Sequence, residues 1–352
     1  MLEFKILKKS KKSKARLGII KTEHGVVETP AFVPVATLAN VKTLDSEEVE
    51  RTKTKVLIAN TFHLHLRPGE NIVKESGGLN QFMNWQKAIM TDSAGFQVFS
   101  LKQKKIRQEG VYFKSPLDGK EIFIGPKESI KIQEKLGADI IFAFDECTGS
   151  GVGKEKLASA LKRTHSWAKI CLRTKKTNQA IFGIVQGGKD KDLRKESSDY
   201  IGKLPFNGFG IGSEFGEDKK AMVKMIGWAI SGLPENKPRH LLGVGYVEDI
   251  AKIIKAGIDT FDCVAPARFA RHGIALTSKG KINVSQSKFL KNRNPLDKKC
   301  DCYVCQNYKT NYLAHLMRAK ELTGMKLLTF HNLYFFNSLV AQIREKIKNN
   351  CF

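Results

Sequence analysis

The sequence predicts an α/β fold, a (β/α)8 barrel with a small cysteine-bearing appendage at its C-terminal end. Three observations predict it. Eight short apolar, β-branched runs recur between about residues 30 and 265, amphipathic stretches separate several of them, and three cysteines crowd together beyond the last run. Alternation of this kind marks parallel strands joined by crossover helices.

The predicted strands are 31–36, 56–61, 88–92, 139–145, 180–186, 208–212, 240–245 and 260–264. Helices are predicted over 126–136, 154–175, 190–204, 217–231 and 247–256, where apolar residues recur at three-to-four spacing. An open doubly wound sheet would want a Gly-rich phosphate turn after its first strand, and none is present. Two insertions interrupt the alternation. Val111-Tyr112-Phe113-Lys114 and Glu121-Ile122-Phe123-Ile124 flank Leu117-Asp118-Gly119-Lys120, an Asp-Gly hairpin signal. After the eighth strand, 273–284 reads as a second ribbon turning at Ser278-Lys279-Gly280-Lys281, and helices are predicted near 311–322 and 333–348. Residues 1–270 thus form a barrel core with a hairpin insertion near 109–126. Residues 271–352 form a basic appendage whose C-terminal helices pack on that barrel.

The 352 residues are 41% hydrophobic, enough for a large core, and no run approaches the ~18 apolar residues of a membrane helix. The start, Met1-Leu2-Glu3-Phe4-Lys5, has no signal-peptide pattern, so no membrane and a cytoplasmic location are expected. Sixty Lys+Arg against 35 Asp+Glu give a formal charge of +25. Such an excess suits a polyanionic partner, because each neutralised phosphate releases counterions. A lysine-rich genome-wide composition would produce the same excess, so charge alone leaves both readings open.

Chemistry in a β/α barrel gathers at the C-terminal ends of its strands. There the sequence reads Thr91-Asp92-Ser93, Asp145-Glu146-Cys147, Gln186-Gly187-Gly188 and Phe261-Asp262-Cys263. Acidic groups ending apolar strands are costly unless solvated, paired or used. Each taken alone could be a helix cap or a structural ion pair. Several carboxylates, with no evident catalytic histidine and no phosphate loop, suit chemistry at a glycosidic carbon. One carboxylate attacks the anomeric centre and another handles protons on the leaving base.

Seven cysteines, an odd number, read as metal binding in a reducing compartment rather than a disulfide framework. Cys300-Asp301-Cys302-Tyr303-Val304-Cys305 is followed by His331, and three thiolates with one imidazole complete a tetrahedral zinc shell. A filled shell is structural. A zinc deaminase would need a His-x-Glu and a Pro-Cys-x-x-Cys element around an open site, and neither occurs.

Many motifs in one order carry a resemblance to a known family. They are Thr29-Pro30-Ala31-Phe32-Val33-Pro34-Val35, Asn60-Thr61-Phe62-His63-Leu64, Leu66-Arg67-Pro68-Gly69 and Thr91-Asp92-Ser93-Ala94-Gly95-Phe96-Gln97. Phe144-Asp145-Glu146-Cys147-Thr148, Val185-Gln186-Gly187-Gly188, Gly243-Val244-Gly245, Phe261-Asp262-Cys263-Val264 and the Cys3His cluster continue the series. Over nearly its whole length the sequence resembles the bacterial tRNA-guanine transglycosylases, also called queuine tRNA-ribosyltransferases.

That resemblance implies a TIM barrel with a zinc subdomain, and a ping-pong exchange of the wobble guanine in a tRNA anticodon for a free 7-substituted deazaguanine base. It implies Asp262 as the nucleophile and Asp92 as the general acid/base. Asp145 and Gln186 would read the purine edge, assisted by Ser93 and backbone near Gly212. Phe96 would stack on the base, Asn60 would position the pocket, and Arg268 and Arg271 would contact the anticodon loop. A homodimer and one structural zinc ion per chain are implied as well. The other reading open to this fold, a non-catalytic tRNA-binding paralogue, would not need both Asp92 and Asp262. The sequence departs from the family pattern at Ala36 and Ala94, where glycine is common, and at Thr148-Gly149-Ser150-Gly151, which replaces a Pro-containing loop. It departs again at Gly212-Ser213-Glu214-Phe215-Gly216-Glu217, one residue shorter than usual. Cys147 favours the aminomethyl precursor of queuine as the incoming base. The altered segment with Phe215 and Glu217 leaves room for queuine itself.

Overall fold

Eight short strands close into a parallel barrel, each hydrogen-bonded to its neighbours in chain order, with the eighth returning to the first. They are Ala31–Ala36, Val56–Ala59, Ala88–Thr91, Ile140–Phe142, Ala180–Val185, Gly208–Ile211, Arg239–Leu241 and Thr260–Cys263. The computed structural model describes residues 2–149, 151–212 and 219–352. Closure is direct: Phe261 pairs with Phe32 and Asp262 with Val33. Helices Pro126–Leu136, Lys154–Thr174, Lys191–Gly202, Lys219–Ala229 and Val247–Lys255 follow where the apolar spacing predicts them. After the first strand, most strands stop short of their predicted ends. Asp92 and Asp145 lie just beyond their strands, where Asp92 accepts from backbone N–H groups and Asp145 from side chains, whereas Asp262 stays in the ladder.

Burial separates two cores. Inside the barrel, Val33, Val56, Ile58, Met90, Phe142, Phe182 and Ile184 pack together. Between barrel and helices lies a second layer that includes Phe32, Leu57, Ile89, Phe144, Trp167 and Phe261. Successive residues of a strand point to opposite faces, so continuous apolar runs are what a barrel buried on both sides needs.

An antiparallel sheet of Glu3–Lys9, Arg16–Thr22 and Gly25–Thr29 precedes the barrel and escaped the sequence reading. Its lysine-rich alternation looks like a solvated tail, yet Ile20 and Val27 join the barrel's interior core. Buried Arg16 fixes this sheet to the barrel through a two-point ion pair with Asp259, Nε to Oδ1 at 2.8 Å and a terminal nitrogen to Oδ2 at 2.6 Å. The predicted hairpin after residue 109 is present and is widened by a third strand, Lys104–Ile106.

Beyond the barrel, helix Ala265–Arg271 leads into the ribbon Ile274–Thr277 and Gly280–Asn283. Helix Thr310–Arg318 and a long helix, Leu322–Lys348, follow. The long helix starts well before its predicted residue 333. Its middle turns are buried all round, so Leu327 to Tyr334 have no exposed face, and the buried polar residues Thr329, His331 and Asn332 blur the apolar spacing a periodicity argument needs. No described helix is long and apolar enough to cross a membrane.

A candidate active site at the mouth of the barrel

The C-terminal ends of the strands enclose a pocket of about 480 Å³. The structure brings Asp92, Ser93, Phe96, Asp145, Cys147, Gln186, Gly212, Asp262 and Arg268 to its wall, together with Asn60. Arg271 lines a shallow neighbouring cleft with Thr37 and Lys42 instead. Residues 213–218, including Phe215 and Glu217, lie outside the described residues, as does Ser150.

Asp92 follows the third strand. Its Oδ1 accepts from the backbone N–H groups of Thr61 and Ala94, both at 3.0 Å, and its Oδ2 from Asn60 Nδ2 at 2.6 Å. Asn60 works in two directions, because its own Oδ1 caps helix Thr61–Leu66 by accepting from His63 N at 3.0 Å. Burial pushes the Asp92 carboxyl up to about 7; the negative charges of Asp262 and Asp145 add to that, and the two backbone donors oppose it. A carboxyl poised there can give and take a proton near neutral pH.

Asp145 and Gln186 form a second unit. Asp145 Oδ1 accepts from Ser93 Oγ at 2.8 Å and Oδ2 from Gln186 Nε2 at 2.7 Å. Burial raises the Asp145 carboxyl above its ordinary value against the pull of those two donors. Gln186 Oε1 is buried and has no hydrogen-bond partner among the described residues. Such an acceptor is costly unless a ligand donor reaches it. The backbone is tight here: a Cβ on Gly212 would collide with the Gln186 amide, and one on Gly95 would lie 2.7 Å from Asp145 O. Both glycines are spatial requirements of the pair. Ala94 stands beside them at φ 70°, in the left-handed region where glycine is favoured.

Asp262 enters from the eighth strand, with its side chain 12% exposed. Its Oδ1 accepts from Gly243 N at 2.8 Å and lies 3.1 Å from His240 Nε2. Phe96 is 65% exposed at the pocket rim. A large ring left open at a pocket mouth is an available stacking platform.

Two supporting residues, His240 and Arg194, were missed by sequence reasoning. Fully buried His240 backs Asp262; it is the middle residue of the short strand Arg239–Leu241, where a lone histidine signals nothing by itself. Buried Arg194 donates to Gly188 O and Gly212 O, both at 2.8 Å, and so ties the fifth and sixth strand ends on which Gln186 and Gly212 sit. An arginine on the apolar face of helix Lys191–Gly202 was the available signal. Glu146, the carboxylate beside Asp145, is engaged by Arg163 from helix Lys154–Thr174, with one contact at 2.9 Å.

Away from the pocket, Cys300, Cys302, Cys305 and His331 gather with their ligand atoms within 4.8 Å of one another. His331 Nδ1 lies 3.8, 3.4 and 3.4 Å from the three sulfurs in turn. A tetrahedral zinc with its usual bond lengths would set such separations at about 3.5–3.8 Å, so the residues fit that ion. His331 Nε2 lies 2.7 Å from Leu276 O, which fixes the ring with Nδ1 free to face a metal. The cluster can hold one metal ion. Four protein donors would leave it no open position for substrate.

Comparison with known proteins agrees with this geometry. The family model for queuine tRNA-ribosyltransferase matches residues 10–352. The chain is similar to the queuine tRNA-ribosyltransferase of Halothermothrix orenii, 47% identical over 352 residues, covering 99% of this chain and 94% of that one. It is similar to that of Moorella thermoacetica at 46% over 347 residues, covering 98% and 93%. That of Shouchella clausii is 44% identical over 357 residues, covering 99% and 93%. On a match that spans nearly the whole chain, this protein belongs to the queuine tRNA-ribosyltransferase family.

Proposed function

We propose that the protein exchanges the wobble guanine of a tRNA anticodon for a 7-substituted deazaguanine through a covalent Asp262–ribosyl intermediate. The observation that carries this reading is the placing of two carboxylates, Asp92 and Asp262, on one pocket beside the Asp145–Gln186 pair, with burial raising the Asp92 carboxyl to about 7.

Asp262 attacks the ribose anomeric carbon, and the resulting ester keeps the tRNA attached while the bases exchange. Asp92 protonates the departing guanine and later takes a proton from the incoming base. Asp145 and Gln186, aided by Ser93 and backbone at Gly212, hold the purine edge; the unpartnered Gln186 Oε1 fits a donor of the base. Phe96 stacks on a base lifted from its neighbours, lowering the cost of holding it out. Arg268 and Arg271 contact the anticodon loop. Cys147, on the pocket wall, suits the compact aminomethyl precursor, and queuine is the other candidate base.

Residues 1–270 serve as the catalytic barrel and 271–352 as the zinc-binding subdomain, with one structural zinc held by Cys300, Cys302, Cys305 and His331. The zinc supplies a cross-link and takes no part in the reaction. The protein acts in the cytoplasm as a homodimer that serves one tRNA.

The test is direct. Wild-type enzyme incubated with tRNA and a base analogue should give an adduct that survives denaturing electrophoresis, and Asp262→Ala should give none. An adduct in that variant removes Asp262 as nucleophile. Guanine release assayed with guanine, the aminomethyl precursor and queuine identifies the incoming base.

A further inference from the structure

The hydrogen bonds around Asp262 are lopsided. Both protein contacts fall on one oxygen: Oδ1 takes Gly243 N–H at 2.8 Å and faces His240 Nε2 at 3.1 Å. No described residue hydrogen-bonds Oδ2, although the side chain reaches the pocket. His240 itself cannot drift. It is completely buried in the seventh barrel strand, its Nδ1 lies 2.9 Å from Thr260 Oγ1, and its ring lies 5.4 Å from that of Phe142.

An imidazole nitrogen facing a carboxylate oxygen is favourable only when it carries the proton, since two lone pairs would otherwise oppose. The Thr260 hydroxyl can donate or accept, so it permits that arrangement at Nδ1. Resting on the transglycosylase reading, we propose that His240, protonated on Nε2, is a positioning residue that pins Oδ1 of Asp262 and leaves Oδ2 as the attacking atom.

The chemistry then balances on a single oxygen. An Oδ2 lone pair forms the bond to ribose C1′ as the C1′–N9 bond to guanine breaks, and the electron pair leaves with the base, which takes the Asp92 proton. In the return step the incoming base bonds to C1′ and passes a proton to Asp92. The C1′–Oδ2 bond breaks and its pair returns to the carboxylate. Throughout, His240 and Gly243 stay on Oδ1, which is a carbonyl oxygen in the ester and a carboxylate oxygen once released. A hydrogen bond to the ionised form is the stronger one. The two donors therefore favour release of Asp262, and His240 serves breakdown of the adduct more than its formation.

The experiment compares folded His240→Leu and His240→Gln with wild type. In His240→Leu, loss of a donor to a charged group should slow adduct breakdown by about tenfold or more. The steady-state fraction of enzyme held as adduct should rise, with KM for the free base changed by less than about twofold. His240→Gln, whose amide can still donate, should recover most of the rate. Nitrogen chemical shifts of labelled wild-type His240 provide a measurement independent of variant folding and should report a protonated Nε2. The assignment is overturned by an unprotonated Nε2, by wild-type breakdown in folded His240→Leu, or by a Gln variant as slow as Leu. A wild-type enzyme that forms no adduct removes the transglycosylase reading as well, whereas a normal wild-type adduct with any of those results overturns only the role of His240.

Discussion

Asp92 carries its mechanism and its cost in one side chain. Its carboxyl sits at about 7 in the folded protein against an ordinary value of 3.8, chiefly because it is buried. The folded state therefore holds a proton that the unfolded chain releases above about pH 4, and stability falls as pH rises from there toward 7. Asp92→Asn removes that penalty. Its melting temperature should exceed wild type by a few degrees at pH 8, and the gap should close by about pH 4. A constant gap across that range would show that the carboxyl titrates normally. Turnover should be lost in the same variant. In wild type, single-turnover release of guanine needs protonated Asp92, so its rate should fall about tenfold per pH unit above 7. A flat profile up to pH 9 would take Asp92 out of the proton transfer.

The elements explain how the distant Cys3His cluster bears on this pocket. His331 and Asn332 are adjacent on helix Leu322–Lys348. The first joins the Cys3His cluster; the second, fully buried, clamps three backbone groups. Asn332 Nδ2 donates to Pro266 O at 3.0 Å and Ile274 O at 2.9 Å, and its Oδ1 accepts from Leu276 N at 2.9 Å. Pro266 lies in the first turn of helix Ala265–Arg271, which follows the strand carrying Asp262 and presents Arg268 to the pocket. Asn332→Leu would leave these groups buried and unpaired, which should cost about 2–5 kcal/mol. Thermal melts test this, and a loss under about 1 kcal/mol would mean the clamp is dispensable. Removal of the metal with a strong chelator should likewise lower the melting temperature, because metal-binding energy is folding energy at such a site. The Cys3His cluster was legible because three of its members fall within six residues, Cys300 to Cys305, and their chemistry is distinctive. Asn332 was not: it has no motif partner, and its role exists only once the helix lies against the ribbon.

At the scale of the whole molecule, the barrel was legible because strands buried on both faces read as apolar runs and their polar ends mark the mouth. The N-terminal sheet was not, because its burial depends on a partner that the sequence places far away, as Arg16 with Asp259 shows. The net charge of +25 was the feature whose meaning composition could not decide. A uniform excess of lysine would grip no particular partner. Charge that serves tRNA must include groups beside the pocket, where Arg268 and the neighbouring cleft of Lys42 and Arg271 stand. Salt separates the two cases. If four or so phosphates are neutralised on binding, raising salt from 50 to 200 mM should weaken tRNA affinity by about 50- to 150-fold. KM for the free base, which carries at most a single charge, should move far less. Arg271→Ala should reduce the slope of log Kd against log salt by about one contact's share, roughly 0.7–0.9. Its pocket chemistry should stay intact, because Arg271 lies outside the pocket wall. An unchanged slope in that variant, with wild-type affinity, would return Arg271 to the general surface charge and leave tRNA capture to other cations of the mouth.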